Sequence, residues 1–147
     1  MKINPIWLVE DSINDIELTI TALEESNLAN RLIVIRDGGE ALERLKTLGY
    51  PDGEPFPAVI LLDIKMPKVD GIGVLRAIKS DPRLKNLPVV VLTSSREGPD
   101  VNTCYELGAN AYVVKPMEFG DFFDALKILG KFWAILNEWP EPKMSKG

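Results

Sequence analysis

The sequence has no histidine and a single cysteine, Cys104, among 147 residues. Without histidine there is no imidazole general base, no Ser-His-Asp or Cys-His nucleophile pair and no histidine-containing zinc site. One thiol cannot close an internal disulfide or hold an iron–sulfur cluster, so Cys104 reads as filler in a reducing compartment. Basic residues are the next shortage: 17 against 22 acidic ones leave a net charge of -5. With no basic stripe to displace counterions, nucleic acid and anionic membranes are not expected partners. Long apolar runs are missing too. No stretch approaches the roughly 18 uncharged apolar residues that span a bilayer. The opening run to Val9, broken by Asn4 and Pro5 and followed by Glu10 and Asp11, is no signal peptide. These absences predict one soluble, cytoplasmic domain whose chemistry rests on carboxylates, hydroxyls and lysines.

Short apolar runs and helical patterns alternate along the chain. Ile6–Val9, Leu32–Ile35, Ala58–Leu62, Val89–Leu92 and Ala111–Val114 are apolar without alternation, as strands covered on both faces must be. Between them, Ile16, Ile20 and Leu23 mark a face of a first helix. Ala41, Leu42, Leu45 and Leu48 mark a second, opened by Asp37 or Gly38 and closed by Gly49, and Val74, Leu75 and Ile78 a third that stops before Pro82. The fourth spans about Pro99 to Leu107 and ends at Gly108. The fifth starts near Glu118 and carries an unbroken stripe of Phe122, Leu126, Leu129, Trp133 and Leu136. Tyr50–Pro57, with three prolines and a glycine, reads as a surface loop. The expected fold is α/β: a doubly wound (βα)5 sandwich around a five-stranded parallel sheet, spanning residues 5–139, with 140–147 as a tail. In such a sheet the ligand site lies outside the carboxyl ends of the strands.

Those ends carry Glu10 and Asp11 after the first strand, Asp63 after the third, Thr93-Ser94-Ser95 after the fourth and Lys115-Pro116 after the fifth. Three carboxylates in one cleft repel one another unless a cation compensates. A hard divalent ion such as Mg2+ fits an all-oxygen set, and Lys115 adds a point charge for an anionic ligand.

With these residues in place, the sequence resembles the receiver domain of two-component response regulators over roughly residues 5 to 130. The motifs are Leu8-Val9-Glu10-Asp11-Ser12, Leu61-Leu62-Asp63-Ile64-Lys65-Met66-Pro67, Val69-Asp70-Gly71, Val91-Leu92-Thr93-Ser94-Ser95 and Gly108–Pro116. The resemblance implies a flavodoxin-like, CheY-like fold in which Asp63 accepts a phosphoryl group from the phosphohistidine of a histidine kinase. Glu10, Asp11, Asp63 and the backbone carbonyl of Lys65 would hold Mg2+. Thr93 would bond a phosphoryl oxygen and Lys115 would pair with Asp63 and then with the phosphoryl group. Tyr112 would act as the aromatic switch, and the bond before Pro116 would be cis. The chain would thus catalyse its own phosphorylation and slow autodephosphorylation. The long fifth helix and the loop before the third strand resemble the single-domain regulators that partner phytochrome-type kinases.

Plainer roles exist for the same residues. Asp63 could cap a turn, Glu10 and Asp11 could cap the first helix beside Ser12, Lys115 could be a surface lysine, and Tyr112 could fill the core. A phosphate-independent interaction module is the competing function. Glu10 stands where the family often has aspartate, and Lys65 puts a long cation at the mouth of the site, where it would tune dephosphorylation. With no second domain in the sequence, output must come from the receiver surface. The surplus apolar residues Phe119, Phe123, Ile128, Phe132, Ile135 and Trp139 predict a homodimer through the fourth helix, fifth strand and fifth helix.

Overall fold

Strand formation follows the apolar runs closely. The computed structural model describes residues 4–66 and 70–138; Pro67, Val69, Trp139 and the tail at 140–147 lie outside them. Strands β1 (Ile6–Val9), β2 (Leu32–Ile35), β3 (Val59–Leu62), β4 (Val89–Thr93) and β5 (Ala111–Val114) form one parallel sheet in the order β2-β1-β3-β4-β5. The three inner strands are buried at every position, whereas the edge strands β2 and β5 are mostly half-buried.

Side chains of successive strand residues point to opposite faces and so build two cores. On one face Trp7, Val9, Ile60, Leu62, Val89 and Val91 meet helices α2 (Gly38–Leu45) and α3 (Gly71–Ser80). On the other, Ile6, Leu8, Leu61, Val90 and Leu92 meet α1 (Ile13–Glu24) and α5 (Phe119–Lys131). Truncating any of the fully buried leucines, Leu61 for example, leaves a cavity worth about 2–5 kcal/mol. Helix α4 (Gly98–Leu107) closes the layer beside α3 and ends at Gly108 in the left-handed region. Cys104 is buried in the α2/α3 core, as filler should be.

Ser12, Asp37 and Asp70 each accept a backbone N–H from the first turn of α1, α2 and α3. These caps satisfy donors that helix geometry leaves unpaired.

Four local expectations are corrected. Helix α2 ends at Leu45, not at Gly49, because the Arg83 guanidinium, far along the chain, donates to the carbonyls of Leu45 and Leu48. Arg83 also stacks over Tyr50, and Phe56 is buried, so the proline-rich loop is anchored at both ends. In α1 the buried face is Thr19, Ala22 and Leu23, and Ile20 turns outward. The stripe of the fifth helix breaks where α5 passes into a π-helical turn, Phe132–Leu136. That wider turn puts Leu136 in solvent at 73% exposure, while Leu129 and Trp133 still pack on the core. The Lys115–Pro116 bond is trans, as are all peptide bonds among the described residues. Trans is the form an X–Pro amide prefers by about 0.5–1 kcal/mol.

Candidate functional site

All five strands run in one direction, so their carboxyl ends bring Glu10, Asp11, Asp63, Thr93 and Lys115 to one edge. Glu10 and Asp63 are buried at 2% and 6% exposure, and Thr93 is fully buried. One carboxylate oxygen from each of Glu10, Asp11 and Asp63 can lie within 4.8 Å of the others. An octahedral hard cation needs oxygen donors in this proximity and no nitrogen or sulfur, so the set fits such an ion.

Each carboxylate is oriented locally. Glu10 Oε2 accepts the N–H groups of Asp11 and Ser12 at 3.1 and 3.2 Å. Asp63 Oδ1 accepts the Lys65 N–H at 2.9 Å. Gly71 permits the approach of α3 beneath Asp63, since a Cβ there would stand 2.1 Å from the Asp63 carbonyl oxygen. Arg36 donates to the Asp11 carbonyl at 3.2 Å, tying the loop after β1 to the end of β2.

Lys115 reaches into this group. Its backbone N–H donates to the Thr93 carbonyl at 2.7 Å, and its ammonium lies 2.5 Å from Glu10, 2.7 Å from Asp15 and 3.2 Å from Asp63. Burial pushes the Glu10 carboxyl up to about 7, against the opposing pull of Lys115. Burial alone would lower the Lys115 ammonium, but its bonds to Asp15 and Glu10 outweigh that and raise it. Both directions say that this cluster holds its proton tightly and needs its cation.

Of the remaining expected residues Thr93 is buried, while Lys65 and Tyr112 lie toward the surface. Thr93 Oγ1 accepts the Ser95 N–H at 3.4 Å. The Lys65 ammonium does not face Asp63. It pairs with Asp100 of α4 at 3.2 Å, and Asp100 accepts the Ser95 hydroxyl at 2.5 Å. Tyr112 donates to the Ser95 carbonyl at 3.0 Å from its half-buried place on β5, so Lys65, Asp100, Ser95 and Tyr112 form one chain of contacts. Its beginning beside Asp63 and its end on β5 link the site to the α4/β5 face. A groove of about 680 Å³ opens beside Lys115, walled by Leu18, Thr21, Met117, Phe119 and Phe122.

Sequence reasoning missed two of these residues. Asp15 reads as an ordinary acid in the first turn of a helix, and Asp100 has the same disguise in α4. Helical position relative to the strand ends was the one available signal: Asp15 lies four residues, one turn, beyond Asp11.

Such a cluster can present a carboxylate nucleophile, Asp63, to an electrophilic phosphorus while cations neutralise the transferred oxygens. Comparison with known proteins bears on this chemistry. The profile of the response regulator receiver domain matches residues 6–127. Response regulator Rcp1 of Synechocystis sp. is 42% identical over 128 residues, covering 87% of each chain, and a structure of its Mn2+-bound form superposes with a TM-score of 0.85 over 94% of this chain and 99% of that one. The phosphorylated cyanobacterial phytochrome response regulator RcpA superposes with a TM-score of 0.86 at 38% identity, over 94% and 99% of the two chains. The bacteriophytochrome response regulator RtBRR is 54% identical, with a TM-score of 0.71 over 95% and 85%. The chain therefore belongs to the response regulator receiver domains, the phosphoryl-accepting modules of two-component signalling, whose partners are histidine kinases.

Proposed function

We propose that Asp63 accepts the phosphoryl group, from the phosphohistidine of a phytochrome-type histidine kinase, in a Mg2+-dependent step. The observation that carries this reading is the meeting of Glu10, Asp11 and Asp63 around one point with Lys115 bonded across them. Asp63 Oδ2 attacks phosphorus in line, the P–N bond to the kinase histidine breaks, and that imidazole keeps the electron pair. Glu10, Asp11, Asp63 and the Lys65 carbonyl would hold Mg2+, which would supply positive charge to offset that of the phosphoryl oxygens. Lys115 moves its third hydrogen bond from Asp63 to the phosphoryl group, and Thr93 donates its hydroxyl to another oxygen. Water later cleaves the acyl phosphate, with slow autodephosphorylation as the result. As Thr93 is drawn in, the Ser95 segment shifts and Tyr112 turns with it. The similarity to the phytochrome response regulator RcpA and the bacteriophytochrome response regulator RtBRR supports a light-signalling kinase. Phosphoryl transfer from such a kinase supports a cytoplasmic location.

Output is homodimerisation on the α4/β5/α5 face. Tyr105 on α4, Ile128 on α5 and Phe132 and Ile135 in the turn that follows α5 are exposed, apolar side chains that a second copy would cover. A strictly monomeric species by light scattering, with and without phosphate, would overturn that part.

Incubation with Mg2+ and a small phosphoryl donor tests the core reading. The expected product carries hydroxylamine-labile phosphate, absent from Asp63→Asn. A chain that takes up no phosphate yet binds the kinase would instead be a phosphate-independent module. A transfer profile against the host's histidine kinases tests the light assignment, which falls if a light-sensing kinase is not preferred.

A further inference from the structure

A divalent cation bound here would compete with Lys115 for the same carboxylates. The Lys115 ammonium has three donors and three acceptors, Glu10 at 2.5 Å, Asp15 at 2.7 Å and Asp63 at 3.2 Å. Glu10 and Asp63 belong to the group of three carboxylates suited to a divalent ion, and Asp15 does not. A metal drawn to Glu10 and Asp63 weakens two of the three bonds that hold the ammonium, and it repels the ammonium as well. The third bond is outside its reach.

We infer that Asp15 is a positioning residue that anchors Lys115 outside the metal cluster, so that a divalent cation and the ammonium occupy the site together. The inference rests on the metal part of the proposed function. Asp15 is built for such a role. Its backbone is fixed in the first turn of α1, with its N–H donated to Ser12 Oγ at 3.3 Å and its carbonyl accepting the Thr19 hydroxyl at 2.7 Å. Its side chain, 28% exposed, is the most accessible of the three acceptors, so a charge there costs less desolvation than at Glu10. The Lys115 backbone is pinned to Thr93, which leaves the ammonium end as the part that Asp15 aims. A plain helix N-terminal acid would add stability through the helix dipole and do nothing for the metal.

Calorimetric titration of the metal-free full chain with MgCl2 tests the inference without any turnover. Asp15→Asn weakens Mg2+ binding by roughly 3–10-fold, the scale of one coupled charge pair. Asp15→Glu, which keeps the charge and the helix-terminal acid, recovers at least half of that loss. Glu17→Gln, a neighbouring exposed carboxylate, changes affinity less than about twofold, since exposed charges are screened. In a Lys115→Ala background Asp15→Asn has less than about a twofold effect, because there is no ammonium left to anchor. An equal loss in both backgrounds would show a through-space charge effect and overturn the inference, as would parent-like affinity in Asp15→Asn. A parent chain that binds no Mg2+ overturns the inference together with the metal reading. Failure of Asp63 to take up phosphate leaves the titration, and therefore the inference, standing or falling by itself.

Discussion

Two half-buried lysines at opposite ends of the sheet make three hydrogen bonds each and are shifted in opposite directions. At the carboxyl end, Lys115 is ringed by Glu10, Asp15 and Asp63 and its ammonium is raised. At the amino end, Lys79 donates to the carbonyls of Lys85 and Leu87 at 3.0 and 2.8 Å and to Asn110 Oδ1 at 3.0 Å, and burial lowers it to about 8. Hydrogen-bond number is equal, so the charge of the acceptors decides. Neutral acceptors make Lys79 a clasp that holds the end of α3 to the start of β4 and to the turn before β5. Charged acceptors make Lys115 part of an oversubscribed electrostatic cluster, the kind of arrangement found where chemistry occurs.

The sharpest way to break this contrast is to remove each lysine. Lys115→Ala slows phosphorylation by about 100-fold, the cost of losing one preorganised donor to developing charge. Phosphate uptake from a small donor measures it. Lys79→Met leaves that rate unchanged and lowers unfolding free energy by about 1–2 kcal/mol, the scale of a few lost hydrogen bonds to neutral groups. Urea melts measure that. Equal rate losses in the two variants would erase the distinction.

Alkaline pH sharpens it further. Lys79 titrates near 8 when folded and at 10.5 when unfolded. Between these values the unfolded chain binds more protons, so its contribution to stability rises with pH. Lys115 is raised above 10.5, so its contribution is complete below 10.5 and declines at higher pH. In metal-free buffer, the parent's advantage over Lys79→Met therefore grows from pH 8 to 10.5, and its advantage over Lys115→Ala shrinks above 10.5. Parallel curves would contradict the assignment of opposite shifts.

The smallest effect belongs to a third lysine. Lys65 is half-exposed and paired with Asp100 at the rim, where an ion pair is worth about 0–1 kcal/mol. Lys65→Ala changes the lifetime of the phosphorylated form by about 2–5-fold, and Asp100→Asn follows it in the same direction. Identical lifetimes in the variants and the parent would leave Lys65 no part in dephosphorylation.

The same contrast explains what was legible in the sequence. The five strands declare themselves because inner parallel strands must be apolar on both faces, and the site residues declare themselves because polar groups then follow each run at one edge. Glu10, Asp11, Asp63, Thr93 and Lys115 needed no long-range information beyond that topology. Asp15 meets Lys115 across 100 residues of sequence and Arg83 caps α2 across 35 or more, and nothing local announces either pairing. Lys79 is hidden for the same reason, since its acceptors come from two separate turns. Leu136 keeps the helical spacing of its stripe, but the stripe assumes 3.6 residues per turn and the π-helical turn does not. The Lys115–Pro116 bond shows the other side of this: resemblance implied cis, and the chain here is trans.

In the proposed function the carboxylates and Lys115 at the carboxyl edge serve one acceptor, Asp63. Borohydride reduction of the phosphorylated chain, followed by peptide mapping, tests it most directly, because an aspartyl phosphate is reduced to homoserine. Homoserine is expected at position 63 alone, and only after phosphorylation in the presence of Mg2+. Homoserine at Asp11 or Asp15, or at position 63 regardless of metal, would contradict it.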